Sequence, residues 1–252
     1  MPTREETNRT TALVTGGSRG IGRAIVRHLV GEGYRVAFTY FSSEEAAREL
    51  EDALNGAHGD VLALQADARD CDRAGEVVER VRETWDAPVG VLVNNAATAR
   101  YGNFEDLSES DWDYTIEGTL KVVFNYTRAV LPGMKEAEGG SILSISSING
   151  IRGREGSAAY CAAKAGINGL TRTLAREVGR HEIRVNAVAP GYVDTESQAA
   201  TPELIKNLVR NENSLPEFTQ PEDVAELVGF LAGPGSKQIT GQVIPIDAGQ
   251  WV

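Results

Sequence analysis

The stretch "TGGSRGIG", Thr15 to Gly22, follows the short apolar run "TALVT" (11–15) and leads into "IGRAIVRHLVGEG". In that second segment apolar residues recur at helical spacing. Gly16, Gly20 and Gly22 are spaced GxxxGxG, a variant of the commoner GxGxxG. Glycines at a strand-to-helix turn let the backbone approach a pyrophosphate, and the helix N-terminus adds N–H groups and partial positive charge. A glycine-rich turn that serves only folding is the plain alternative. The place of this one, between the first strand and first helix of a βαβ unit, favours a dinucleotide seat. Gly16, Ser18, Arg19, Gly20, Ile21 and Gly22 are its candidate contacts.

Outward from that turn, strand and helix signals alternate. Strands are expected at 35–40, 61–66, 89–96, 141–147, 183–190 and 242–249, all rich in β-branched residues. Helices are expected at 43–54, 72–85, about 110–134, about 157–179 and 221–233. Asp70 is placed to cap the second of these, and "SESD" to open the third. Apolar strands separated by helices indicate a parallel seven-stranded sheet covered on both faces, an α/β doubly wound fold. No linker, repeat or composition shift interrupts 1–252, so one domain is expected. The segment 191–219, with Pro202 and Pro216, reads as irregular apart from the amphipathic piece "PELIKNLVRN".

Net charge is −11, which argues against a nucleic-acid partner but not against an anionic cofactor in a locally positive cleft. The N-terminus "MPTREETNRT" has no apolar core of a signal peptide, and no run approaches the roughly 20 apolar residues of a membrane span. Cys71 and Cys161 form no metal-type pair or disulfide framework, so a reducing cytoplasm is expected. His28, His58 and His181 are too far apart in sequence for a zinc motif, and no metal is expected.

The second strand ends "FTYFSS", with Tyr40 where a site for NAD usually carries an acid for the ribose hydroxyls. Without that acid a 2′-phosphate meets no repulsion, and Arg19 and Ser42 or Ser43 can receive it, which favours NADP(H). Arg19 can equally be an ordinary solvated arginine. Asp67, followed by Ala68, can accept from an adenine amino group or cap a helix. Asn94 and Ala96, in "NNA", stand at the carboxyl edge of the sheet, where ligands lie, though such asparagines can also only satisfy backbone groups.

In "SAAYCAAKAG" (157–166), Tyr160 and Lys164 are four residues apart, one helical turn, among small residues. A phenol titrates near 10, too high for proton transfer at neutral pH, and a neighbouring ammonium lowers it. The small neighbours suit close packing against a helix or ligand better than an exposed face. A hydroxyl from "SISS", Ser146 or Ser147, can orient a carbonyl beside the phenol.

These motifs, with "IRVNAVAPGYVDT" and "ITGQVIPIDAG", resemble the short-chain dehydrogenase/reductase family from Thr11 to Val252. They are most similar to its β-ketoacyl-carrier-protein reductase branch. The resemblance implies a Rossmann fold, Ser147 as the carbonyl-orienting hydroxyl and Tyr160 as general acid/base. It makes Lys164 the residue that tunes Tyr160 and holds the nicotinamide ribose. It also implies nicotinamide contacts from Pro190, Gly191, Val193 and Thr195, a substrate lid at about 191–219, and dimers or homotetramers joined through the helices 110–134 and 157–179.

Three departures stand out. The family's fourth catalytic residue, a helical asparagine that holds a relay water, is matched by Thr119, so an altered or slower proton relay is expected. "NNAA" replaces the usual "NNAG" at Ala97. "MKEAEGGS" is acidic where a carrier-protein contact would be basic, and "GRHE" leaves only Arg180 and His181. The expected function is NADPH-dependent reduction of a ketone, with a 3-oxoacyl or polyketide-like thioester as first substrate. An alcohol or polyol dehydrogenase is the alternative within the family, and a non-catalytic NADP-binding sensor or scaffold is the alternative outside catalysis.

Overall fold

The computed structural model describes residues 10–58 and 60–251; the first nine residues of the N-terminal stretch, Gly59, Val252 and the side chains of residues 56–58 lie outside the described residues. Seven strands pair in one parallel sheet: β1 (Thr11–Val14), β2 (Arg35–Tyr40), β3 (Val61–Gln65), β4 (Val89–Asn94), β5 (Gly140–Ile145), β6 (Ile183–Pro190) and β7 (Val243–Ile246). Their order is β3-β2-β1-β4-β5-β6-β7. The chain runs outward from β1 to β3, then returns to the other side of β1 with β4. Beyond the carboxyl ends of β1 and β4 the connections diverge and leave a crevice.

The period of two along β1 divides the core. Ala12 and Val14 pack with Ile25, Leu29 and Val228 of α1 (Gly20–Gly31) and α9 (Pro221–Ala232). Leu13 faces the other side with Leu92, Ile142 and residues such as Val77 of α3 (Cys71–Trp85) and Tyr126 of α5 (Val122–Glu136). Full burial of each such aliphatic side chain contributes about 1.5–3 kcal/mol, so a one-residue slip of a central strand would be prohibitive. Between β2 and β3 runs α2 (Glu44–His58). The Asp70 side chain accepts from the backbone N–H groups of Asp72 and Arg73 and starts α3 as expected.

The helix expected at 110–134 is one unbroken helical run, Glu109 to Glu136, with a π turn inside it. Ser108 caps α4 (Glu109–Ile116), a π turn occupies Glu117–Lys121, and α5 follows. The wide turn releases the Gly118 carbonyl, which accepts from Thr98 N at 3.1 Å. Only glycine permits this approach, because a Cβ on residue 118 would fall 1.7 Å from Thr98 Oγ1. A four-residue helix, α6 (Asn149–Arg152), which the sequence pattern does not announce, precedes α7 (Ala158–Val178). The segment 191–219 contains a helix, α8 (Glu203–Glu212), and an isolated bridge joins Val193 to Thr219. No residue of α8 is buried, and Leu204 and Leu208 are largely exposed.

Candidate active site

The crevice is a cleft of about 910 Å³ that runs from the glycine turn, past the ends of β2 and β3, to β5, α7 and residues 190–198. Gly16 has φ +66°, a left-handed conformation that favours glycine, and lies against Ala96. A Cβ on Gly22 would sit 2.2 Å from the Gly16 carbonyl oxygen and 2.6 Å from Asn95 Nδ2. These two positions fold the turn back on itself and bare the first turn of α1, whose N-terminus has no side-chain cap. Uncapped N–H groups facing a cleft suit a phosphate group.

The turn is fastened to β4. Thr15 Oγ1 accepts from Asn95 N and Ala96 N at 3.0 Å each. Asn95 Nδ2 in return donates to the carbonyls of Thr15 and Gly16 at 3.0 Å each. Asn94 itself is buried, is not among the residues lining the cleft and donates through Nδ2 to Thr127 Oγ1 at 3.2 Å. The reason is register: Asn94 is the last paired residue of β4, opposite Ser144, whereas Asn95 has left the sheet and turns into the crevice.

Gly16, Ser18, Arg19, Gly20, Ile21, Gly22, Tyr40, Ser42, Asp67, Ala68, Ala96, Pro190, Gly191, Val193 and Thr195 all line this cleft, together with Ser147, Tyr160 and Lys164. Asn95 of the "NNA" motif lines it too, as do Arg69, Tyr114 and Gly118, which the sequence pattern does not single out. The "ADARD" stretch was the available signal for Arg69. There the Arg69 guanidinium grips Asp67 in a bidentate pair, Nε–Oδ1 2.9 Å and Nη2–Oδ2 2.6 Å, and holds that carboxyl below its usual range.

At the far end, β5 and α7 bring the polar trio together. Ser147 Oγ accepts from Asn149 N at 3.1 Å and faces the phenol. Ser146 serves the scaffold instead, because its hydroxyl donates to Asn168 Oδ1 at 2.6 Å and ties β5 to α7. Lys164 is buried and donates through Nζ to the Ile145 carbonyl at 2.6 Å, with Nζ 5.5 Å from the Tyr160 ring centroid. Burial pushes the Lys164 ammonium down to about 8. Burial also pushes the Tyr160 phenol well up, Tyr101 adds to the rise, and the Ser147 hydroxyl counters it. In this arrangement the ammonium does not offset the desolvation of the phenol, which stays protonated at neutral pH. Such a group is an acid.

Thr119 is fully buried and not in the cleft lining. Its hydroxyl donates to the Thr98 carbonyl at 2.7 Å, so its proton is engaged away from Lys164. The π turn puts Gly118, not Thr119, on the cleft wall. At the mouth, the Tyr101 and Tyr160 ring centroids are 6.0 Å apart, and Arg152 pairs with Glu212 at 3.2 Å.

A family profile described as "Enoyl-(Acyl carrier protein) reductase" matches residues 16–250. The 3-oxoacyl-(acyl-carrier-protein) reductase FabG of Staphylococcus aureus is 38% identical over 242 residues, 96% of this chain and 98% of its own. The acetoacetyl-CoA reductase of Allochromatium vinosum is 37% identical over 239 residues, 94% of this chain and 97% of its own. A solved structure of a doubly substituted mutant of a Serratia marcescens short-chain dehydrogenase/reductase superposes with a TM-score of 0.91 at 36% identity, covering 96% of this chain and 97% of that one. With this fold, cleft and likeness along nearly its whole length, the chain belongs to the short-chain dehydrogenase/reductase family and is an oxidoreductase of carbonyl and carbinol carbons.

Proposed function

We propose that this protein is an NADPH-dependent carbonyl reductase acting on a 3-oxoacyl or polyketide-like thioester. One observation carries the reading: Ser147, Tyr160 and Lys164 converge at one end of the cleft whose other end is the glycine turn. The residues present fit a dinucleotide, since the bared N-terminus of α1 suits the pyrophosphate and Gly16, Gly20 and Gly22 leave room for it. Arg19 and Ser42 would receive a 2′-phosphate, Asp67 and Ala68 would bound the adenine, and Pro190, Gly191, Val193 and Thr195 would flank the nicotinamide. The chemistry the bound cofactor supplies is hydride donation to the carbonyl carbon.

Ser147 donates a hydrogen bond to the substrate oxygen and fixes the carbonyl beside the phenol. Tyr160 gives its proton to that oxygen as it becomes an alkoxide, and the product is the alcohol. The phenolate left behind is stabilised by the Lys164 ammonium, 5.5 Å from the ring, until a proton returns from water.

The whole chain serves as one nucleotide-binding domain, with 191–219 as the lid over the substrate. Exposed Phe124 on α5 supports association of copies into dimers or a tetramer, and the free thiols of Cys71 and Cys161 fit the cytoplasm. Among the described residues no helix is long and apolar enough to cross a membrane. The test is NADPH oxidation by purified protein with an acetoacetyl thioester and a panel of ketones. Tyr160→Phe is expected to lower turnover by about 10³-fold or more with NADPH affinity kept. NADPH binding without turnover on any substrate would refute the reductase reading and favour a sensor.

A further inference from the structure

The connection from β4 to α4 carries Tyr101, which is 65% exposed, to the ring of Tyr160. An exposed side chain on a loop ordinarily changes rotamer freely, yet the backbone on both sides of this one is pinned. Before it, Arg100 N donates to Thr115 Oγ1 at 3.0 Å, and that hydroxyl donates in turn to the Asp111 carbonyl at 2.8 Å, on α4. After it, Gly102 N donates to the Gly156 carbonyl at 2.9 Å, and Gly102 forms an isolated parallel bridge with Ser157. Ser157 is buried and directly precedes α7, whose third residue is Tyr160. The bridge therefore ties the Tyr101 segment to the start of the helix that holds the acid. Across this tie the two ring centroids stand 6.0 Å apart with planes inclined by 58°, within the range where aromatic edges and faces attract. Ser147, Lys164, Arg154 and Cys161 are the other polar groups near this phenol. Among the described residues Tyr101 alone sets an aromatic ring against it.

We infer that Tyr101 is a positioning residue for the reduction: its ring, fixed by the bonds at Arg100 and Gly102, braces the Tyr160 ring so that the phenol keeps its aim at the substrate oxygen. This rests on the reductase reading above. Tyr101 acts through Tyr160 by ring contact, so its own hydroxyl is not needed and phenylalanine serves in its place. Proton transfer requires the donor within hydrogen-bond reach of the acceptor, and a displacement of about 1 Å costs up to about 10²-fold in rate. A modest loosening of the Tyr160 ring is therefore visible in turnover.

The experiment follows reduction of an acetoacetyl thioester and a panel of ketones by wild type, Tyr101→Phe, Tyr101→Ala and Thr115→Val. It records kcat, KM, the solvent isotope effect on kcat and the NADPH dissociation constant. Tyr101→Ala is expected to lower kcat about tenfold and leave NADPH binding within about twofold. Its solvent isotope effect should rise, because proton transfer from a loosened phenol slows relative to hydride transfer. Tyr101→Phe should stay within about twofold of wild type in every measure. Thr115→Val removes the acceptor for Arg100 N without touching either ring, and should lower kcat about threefold with the same rise in isotope effect. A Tyr101→Ala protein with wild-type kcat and isotope effect, a loss confined to KM, or a loss that phenylalanine does not rescue would each overturn the bracing role. A wild type inactive on every ketone removes the reductase reading and this inference with it. An active wild type silenced by Tyr160→Phe keeps that reading, and the Tyr101 variants then decide the inference alone.

Discussion

Replacing Lys164 with methionine should abolish turnover and yet leave a protein at least as stable near neutral pH. Burial lowers the ammonium from 10.5 to about 8, and each unit corresponds to about 1.4 kcal/mol, so charging this lysine in the fold costs about 3 kcal/mol. Methionine has a similar unbranched shape and avoids that cost, but it leaves the Ile145 carbonyl without the 2.6 Å donor. The lost hydrogen bond takes back about 1–3 kcal/mol, for a net gain between about 0 and 2 kcal/mol. The melting temperature would rise by up to roughly 4–8 °C for a chain this size.

The pH dependence separates this account from simple repacking. Between about 8 and 10.5 the unfolded wild type binds the lysine proton more tightly than the native state does. Wild-type stability therefore rises with pH in that window relative to Lys164→Met. The order of the two proteins should reverse there, because the native amine has become neutral and still donates to Ile145. Urea unfolding of both proteins at neutral pH and at the upper end of the window measures the gap. A variant less stable than wild type by more than about 1 kcal/mol at neutral pH, or a gap independent of pH, would refute the burial argument.

Two further substitutions address other levels of the structure. Thr119→Val keeps the β-branched shape but removes the Oγ1 bond to the Thr98 carbonyl; a stability loss of about 1–2 kcal/mol in urea unfolding is expected, with solvent-isotope effects on turnover unchanged. An altered isotope effect would place Thr119 in the proton path after all. Gly75 lies inside α3, and a Cβ added there would meet nothing within 4 Å, so Gly75→Ala should stabilise by about 0.5–1 kcal/mol without touching activity, a gain readable by calorimetry.

The parts of this protein that are legible in its sequence are those governed by local pattern. Alternation in β1, the Gly16–Gly22 turn and the Tyr160–Lys164 spacing each encode their geometry within a few residues. The parallel sheet covered on both faces follows from the alternation of elements. What stays hidden depends on contacts far along the chain. Asn94 and Asn95 are chemically identical neighbours, and only the register against Ser144 decides which one enters the cleft. The π turn leaves the apolar pattern of "TIEGTLKVVF" almost continuous, and its cause, the fit of Gly118 against Thr98, joins positions far outside one helical turn. The proton affinities of Tyr160 and Lys164 depart from the expected lowering of the phenol for the same reason. Their four-residue spacing is visible, whereas the burial that outweighs their mutual attraction is a property of the assembled fold.

The reciprocal bonds between Thr15 and Asn95 have a mechanical consequence. They close the divergence between β1 and β4 with four hydrogen bonds at the point where the sheet would otherwise be easiest to pry apart. The opposite bank has no such fastening in α8, which buries none of its residues. The protein is thus divided into a chassis and an exchangeable front. If 191–219 is the lid proposed above, loop grafts in 199–215 should change which carbonyl substrate is accepted while the cofactor seat keeps its dimensions, and hydrogen exchange should find the two banks opening independently of each other.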